Sequence, residues 1–312
     1  MQVEFYDNRY QNGYMESWDN SKINKVKEVL RSILLPSTGK ALDFGCGNGI
    51  FTGIIKEVLP NWEVYGTDIS ETALGNAQRI YNNCTFFSLN QLSKYNEKFD
   101  LIFSHHVLEH VDYINDTIAQ LNNIAANNAK QIHILPCGNE GSFEHSIAIS
   151  VKNGIDIMKE NRFFFEEPGH LRRLNTTDFQ KKMSTFNFIL ENQFYSNQYW
   201  GAINWITKSS PRFVKKLTNL NNAVNKHSAA KLNSIRNKLL PLTYAQHALV
   251  LFLLNWNKFN RKPKDVILMI FFFIPALLSW PIYILLNILA NMEWKKCKKD
   301  RKGSEMFLIF TR

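Results

Sequence analysis

The sequence predicts an α/β protein whose parallel β-sheet is covered by helices on both faces. Three observations carry that expectation. From residue 21 onward, short apolar runs alternate with stretches of helical periodicity. The first of those runs leaves directly into a glycine-rich loop that opens a helix. The chain has 312 residues, 45% of them apolar and 13% aromatic, which is enough material for a sizeable core.

The elements follow in order. KVKEVLRSIL (25–34) reads as a helix, and KALDF (40–44) as the first strand. EVYGT (63–67), CTFFS (84–88), FDLIF (99–103) and QIHIL (131–135) supply strands two to five. Between them lie the helical stretches FTGIIKEVL (51–59), ETALGNAQRIY (71–81) and INDTIAQLNNIA (114–125). NTTDFQKKM then starts a helix that Asn175 or Thr176 caps, with Asp178 favouring its first turn. FILENQFY (188–195) reads as strand six. Ligands of such sheets sit at the carboxyl ends of the strands.

The first strand exits as ALDFGCGNGIF, with Gly45, Gly47 and Gly49 in the loop. Glycine lets the backbone turn tightly and lets a ligand approach it, and the following helix start offers unpaired N–H groups. A dinucleotide fingerprint requires GxGxxG; this loop is GxGxG, with Ile50 at the third glycine's place. Asp43 stands two residues before Gly45, where a carboxylate repels a pyrophosphate and favours a cation. Asp68 ends the second strand in YGTDIS, placed to accept both hydroxyls of a ribose. The ligand so described has a ribose and a positive charge but no phosphate, which fits S-adenosyl-L-methionine.

With these residues on the page, the chain resembles class I S-adenosylmethionine-dependent methyltransferases, especially the group related to ubiquinone-pathway and surface-polysaccharide methyltransferases. LDFGCGNG (42–49), YGTDIS (65–70), FDLIFSHHVLEHV (99–111) and GHLRRLNTTDF (169–179) carry the resemblance, which covers roughly residues 1–200. It implies a Rossmann-like seven-stranded sheet in the order 3-2-1-4-5-7-6, with the last strand antiparallel. It also implies a cofactor held by Asp43, Gly45, Cys46, Gly47, Asn48, Gly49, Asp68 and Ile69, with Ser88 and Leu89 near the adenine. The family often has an acid at that last position; here Ser88 and Leu89 stand instead.

His105 and His106 follow strand four and face the substrate region, so one of them is a candidate base for removing the acceptor's proton. His110, in the LEHV segment, is expected to hold the helix start. His170 and Arg172, in EEPGHLRRLN, are candidates for touching substrate, the arginine through a phosphate or carboxylate. Tyr10 and Tyr14 are placed to close over the cofactor. The histidines lack a carboxylate at ligand spacing, so no metal is expected. Cys46, Cys84, Cys137 and Cys297 are scattered without CxxC spacing, which fits a reduced compartment, and the segment MQVEFYDNRY, with no basic start and no apolar core, is not expected to act as a signal peptide.

The charge is unevenly placed. Residues 1–206 carry 18 Lys/Arg and 23 Asp/Glu, whereas residues 207–312 carry 19 Lys/Arg and 4 Asp/Glu. A basic region seeks phosphate, from nucleic acid or from anionic lipid. Within it, residues 266–292 form 27 consecutive uncharged residues, VILMIFFFIPALLSWPIYILLNILANM. GSEMFLIFTR (303–312) is the remaining candidate for the last strand, so residues 196–302 read as an insertion into a core of residues 1–195 and 303–312. Pro275 and Pro281 are expected to break the apolar run into 265–274 and 282–292, each about 15 Å long as helix. Lys258, Arg261, Lys262 and Lys264 on one side and six Lys/Arg in 295–302 on the other favour both ends on the cytoplasmic side. The expected form is a hairpin that dips into one leaflet. A two-span hairpin that recruits ALVLFLLNW (248–256) and a buried helical pair in a dimer core are the alternatives. Upstream, Leu217, Leu220, Val224, Leu232, Ile235 and Leu239 form an apolar stripe in a basic stretch, expected to lie on an anionic membrane surface. Aromatic interleaving and RNA motifs are missing, so nucleic acid is not an expected partner.

These expectations converge on a methyltransferase at the inner membrane face that O-methylates a surface-glycan or lipid-linked saccharide intermediate. The alternatives are O- or C-methylation of a prenylated quinone precursor and a non-catalytic membrane-associated scaffold. An oligomer is compatible with all three.

Overall fold

The computed structural model describes residues 2–94, 97–257 and 263–312. Helices α1 (Gln2–Gln11) and α2 (Asn20–Arg31) precede the first strand. Strands β1 (Lys40–Phe44), β2 (Glu63–Asp68), β3 (Thr85–Ser88), β4 (Phe99–His105) and β5 (Ala125–Pro136) alternate with helices α3 (Ile50–Val58), α4 (Glu71–Ile80) and α5 (Ile114–Ile124). After α6 (Phe143–Ala148) and α7 (Thr176–Ser184) come β6 (Ile189–Ser196), α8 (Trp200–Lys208), α9 (Pro211–Leu217), α10 (Lys226–Asn257), α11 (Pro263–Cys297) and β7 (Glu305–Thr311).

The seven strands form one sheet in the order β3-β2-β1-β4-β5-β7-β6. The pairs β1–β2, β1–β4, β2–β3 and β4–β5 are parallel. Against β5 the last strand runs the other way. The Cys137 N–H donates to Ser304 O at 2.8 Å, and at the opposite end the Arg312 N–H donates to Ala129 O at 3.3 Å. The order and the reversed last strand are those the sequence implies.

By packing, the chain divides into two compact units. The first comprises Met1–Pro136, Asn175–Gln193 and Met306–Arg312. Its central strand β1 buries Ala41, Leu42, Asp43 and Phe44, the two-sided burial typical of a parallel sheet. Trp62, Phe99, Phe103, Phe179, Phe307 and Phe310 fill the core. His133 is also buried there as a neutral imidazole, held between Ser104 Oγ and Gln131 Oε1 at 2.8 Å each, and burial pushes its pKa down to about 3. The caps follow the sequence: Asn175 accepts the Asp178 N–H at 2.8 Å to start α7, and Ser70 accepts the Ala73 N–H at 3.1 Å to start α4.

The second unit comprises Cys137–Leu174 and Phe194–Glu305. Residues 137–174, assigned by sequence to the core, therefore pack with the insertion. The unit's own core gathers Ile147, Val151, Phe163, Ile203, Ile206 and Val214 with Leu217, Leu232, Ile235 and Leu239. This corrects the expectation for the apolar stripe. Four of its six residues are buried in this core, not laid on a surface, and the stripe is interrupted between α9 and α10. Only Val224 is exposed.

A second correction concerns the prolines. Helix α11 is continuous for 35 residues through both Pro275 and Pro281, so the expected hairpin within 266–292 is not formed. At 1.5 Å per residue it is about 50 Å long. Tertiary packing overrides the local preference. Ala276, Leu286 and Ala290 are buried, Asn287 pairs with Asn204 of α8 at 3.0 Å, and Glu293 accepts the N–H groups of Tyr199, Trp200 and Gly201 at the start of α8. Val266–Cys297 is long and apolar enough to cross a membrane, and its most apolar window is only 11% buried. Lys258, Arg261 and Lys262 of the expected basic flank lie outside the described residues.

Candidate active site

The β1–α3 loop is built from three glycines in the left-handed region, Gly45 (φ 73°), Gly47 (φ 52°) and Gly49 (φ 78°). An added Cβ would lie 2.4 Å from Val107 at Gly45 and 2.6 Å from the Tyr10 hydroxyl at Gly47. The loop therefore needs glycine both for its backbone and for its close neighbours. The Asp68 carboxylate ties it to β2, accepting the Gly47 N–H at 2.8 Å and the Ser70 N–H at 2.9 Å. Burial raises the Asp68 pKa, and those N–H donors oppose the rise.

Asp43 lies deeper. It is 1% exposed and accepts the Thr52 hydroxyl at 2.6 Å. Burial, with the neighbouring Asp68 charge adding to it, pushes its pKa up to about 7.

Beside this loop the first unit encloses a cavity of about 370 Å³, within the range of small-molecule sites. Gly45, Asp68, Ile69, Leu89, His105 and His106 line it, among the sequence-predicted residues. Tyr10 and Tyr14 line it too, as expected of them. Asp43, Cys46, Gly47, Asn48, Gly49 and Ser88, also expected at the cofactor, are not among its lining residues. Asn48 donates to Tyr14 O at 3.1 Å and Met15 O at 3.3 Å, holding the N-terminal segment against the loop. Asp7 of α1 accepts the Ser70 hydroxyl at 2.5 Å and adds a second tether.

The two candidate bases differ. His105 is buried, its ring packed on Phe51 at 4.2 Å and Trp18 at 4.7 Å between centroids. His106 has a left-handed backbone, φ 53°, and its Nδ1 lies 2.9 Å from Glu109 Oε1. Glu109 is 1% exposed. His170 belongs to the second unit, where its ring stands 3.5 Å from Glu166 and 3.7 Å from Glu167. Arg172, in the same unit, donates to Glu160 at 3.1 Å.

Sequence reasoning did not single out Glu109, although it stands in the quoted VLEHV segment; the missing signal was its burial. It also passed over Tyr6, Asp112, Asp116 and Gln120, which line the cavity from α1, the turn before α5 and α5 itself. Among the described lining residues are three aspartates, Asp68, Asp112 and Asp116, and neither lysine nor arginine. Such a wall suits a cationic ligand with a sugar and disfavours a pyrophosphate.

Residues 42–130 match the family described as methyltransferase domain. No curated protein matches the chain in sequence. Among solved structures, the chain is similar to the cyclopropane synthase MmaA2 from Mycobacterium tuberculosis, with 13% identity, 96% of this chain and 88% of that one covered, and a TM-score of 0.48. It is also similar to the YcgJ protein from Bacillus subtilis, with 15% identity, 67% and 87% covered, and a TM-score of 0.48. The assignment of residues 42–130 rests on the family match.

Proposed function

We infer that this chain, whose residues 42–130 match a methyltransferase domain, uses S-adenosylmethionine to methylate a hydroxyl of a surface-glycan or lipid-linked saccharide at the inner face of a membrane. The observation that carries the reading is the conjunction of Asp68 and His106, itself backed by the buried Glu109, on a cavity whose described lining holds neither lysine nor arginine.

The residues fit the cofactor. Asp68 has lone pairs beyond those used by Gly47 and Ser70 and would accept the ribose hydroxyls. Gly45 lets the ligand reach the backbone, Ile69 and Leu89 supply apolar contact, and Tyr10 and Tyr14 cover the site. Asp43, with its pKa raised to about 7, adds negative charge behind the loop when it ionises. When bound, S-adenosylmethionine supplies a methyl group on a positively charged sulfur. The chain's own residues orient the acceptor and manage its proton. His106, with its Nδ1 against the Glu109 carboxylate, is the group that takes the hydroxyl proton, and the buried carboxylate stabilises the imidazolium that results. A neutral histidine suits this role near pH 7.

The acceptor class is argued from the exposed apolar surface of α11, where Ile270 is 69% and Leu278 72% exposed. Such a surface, in a region of strong positive charge, favours seating at an anionic bilayer that presents a lipid-linked substrate. A prenylated quinone precursor would use the same membrane access. Methyl transfer from labelled cofactor to lipid-linked saccharide fractions, soluble sugar nucleotides and quinone precursors separates the readings. Label in the lipid-linked saccharide supports the proposal; label only in sugar nucleotide or quinone overturns it.

A further inference from the structure

The second unit contains a cavity of its own, about 480 Å³, that the methyl-transfer reading does not use. Its rim is basic. Lys231 and Lys238 stand seven residues apart on α10, two turns, and so share a face, with the Ser234 hydroxyl between them. Lys302 closes the opposite side, its side chain packed beside Gly141. Helix α10 contains no aspartate or glutamate in its 32 residues, so its lysines have no acidic partner on their own helix. The one acid among the described rim residues, Asp300, accepts the Lys302 backbone N–H at 3.2 Å. Lys231 donates to the Ser146 carbonyl at 3.1 Å, which fixes its ammonium at the mouth without neutralising it.

The floor is apolar. Ile203, Ile235 and Leu239, all buried, lie beneath the rim beside the paired rings of Phe143 and Tyr199, 5.3 Å apart. Three ammonium groups and hydroxyls above an aliphatic and aromatic floor describe a ligand with an anionic head and an apolar body. Inorganic phosphate would leave the floor unused, and a neutral lipid would leave the lysines unanswered.

We propose that this cavity binds a phosphate or pyrophosphate group carried on an amphiphile. The proposal depends on the lipid-linked acceptor reading for its biological role but not for its existence, because it stands on the second unit alone.

The test uses the full chain with vesicles of phosphatidylcholine, alone or mixed with phosphatidic acid, and with inorganic pyrophosphate as competitor. The variant Lys231→Gln/Lys238→Gln is compared with Lys215→Gln/Lys216→Gln, which removes the same charge from α9. The expected result is that the cavity variant loses about tenfold or more in affinity for phosphatidic acid vesicles while the α9 variant loses much less. Equal losses in both variants would mean diffuse surface attraction and overturn the site. Pyrophosphate binding as tight as the lipid would overturn the amphiphile and leave a free phosphate as the source. Unchanged S-adenosylmethionine binding in each variant confirms folding and keeps failure here distinct from failure of the methyltransferase reading.

Discussion

Nδ1 of His106 lies 2.9 Å from the buried carboxylate of Glu109, and His106 reaches that position with a left-handed backbone. Strain of this kind persists only where surrounding structure enforces it, and it collects at functional sites. His106→Asn is expected to lower kcat by about 10²–10⁴-fold, the range of a lost general base, with cofactor affinity unchanged. Glu109→Gln keeps the hydrogen bond but removes the charge, so its loss in kcat is smaller, with KM little altered. Added imidazole should restore part of the rate to a His106→Gly enzyme and none to Glu109→Gln. Steady-state kinetics on the identified acceptor check all three outcomes.

Asp43 predicts a pH dependence. Its carboxyl is raised to about 7 by burial, so the folded protein holds a proton there that the unfolded chain releases near its ordinary value of about 3.9. The folded state then binds more protons between those values, and stability falls as pH rises from about 4 to about 7. Asp68, also raised by burial, adds to the same slope. Asp43→Asn, which retains the bond to Thr52, is expected to flatten the decline. Denaturant unfolding of both proteins at about pH 5 and about pH 8 measures it. A cation in the cavity favours the ionised carboxyl, so cofactor affinity of the natural protein should rise across that window more than that of the variant.

Arg173 predicts the opposite kind of effect, on stability without charge titration. In the second unit its guanidinium reaches Glu144 and Glu166 at 2.6 Å each and the carbonyls of Cys137 and Ser304 at 2.9 Å, over the ring of Phe163 at 4.2 Å. Arg173→Met would strand two buried carboxylates and cost about 3–5 kcal/mol. The triple change with Glu144→Gln and Glu166→Gln should recover much of that loss in thermal unfolding.

The sheet was legible in the sequence because parallel strands bury both faces and so read as continuous apolar runs, as KALDF and FDLIF do. The glycine loop was legible because only glycine tolerates the left-handed backbone and the contacts of Gly45 and Gly47 with Val107 and Tyr10. What escaped depends on which partner a residue meets. Leu232, Ile235 and Leu239 have the periodicity of a membrane-surface helix, but core packing produces the same spacing. Pro275 and Pro281 signal breaks that Asn287, Glu293 and the buried alanines of α11 override. Glu109 looked like part of a motif, and only the structure places it buried beside His106.

The central claim is that the first unit binds S-adenosylmethionine through Asp68. Calorimetric titration of the detergent-purified chain with S-adenosylmethionine, S-adenosylhomocysteine and NADH, beside Asp68→Ala, tests it most directly. Binding of the two adenosyl ligands that weakens by about tenfold or more in the variant, with NADH silent, is the predicted result. A folded protein that binds neither adenosyl ligand, or binds them equally well without the Asp68 carboxylate, would contradict it.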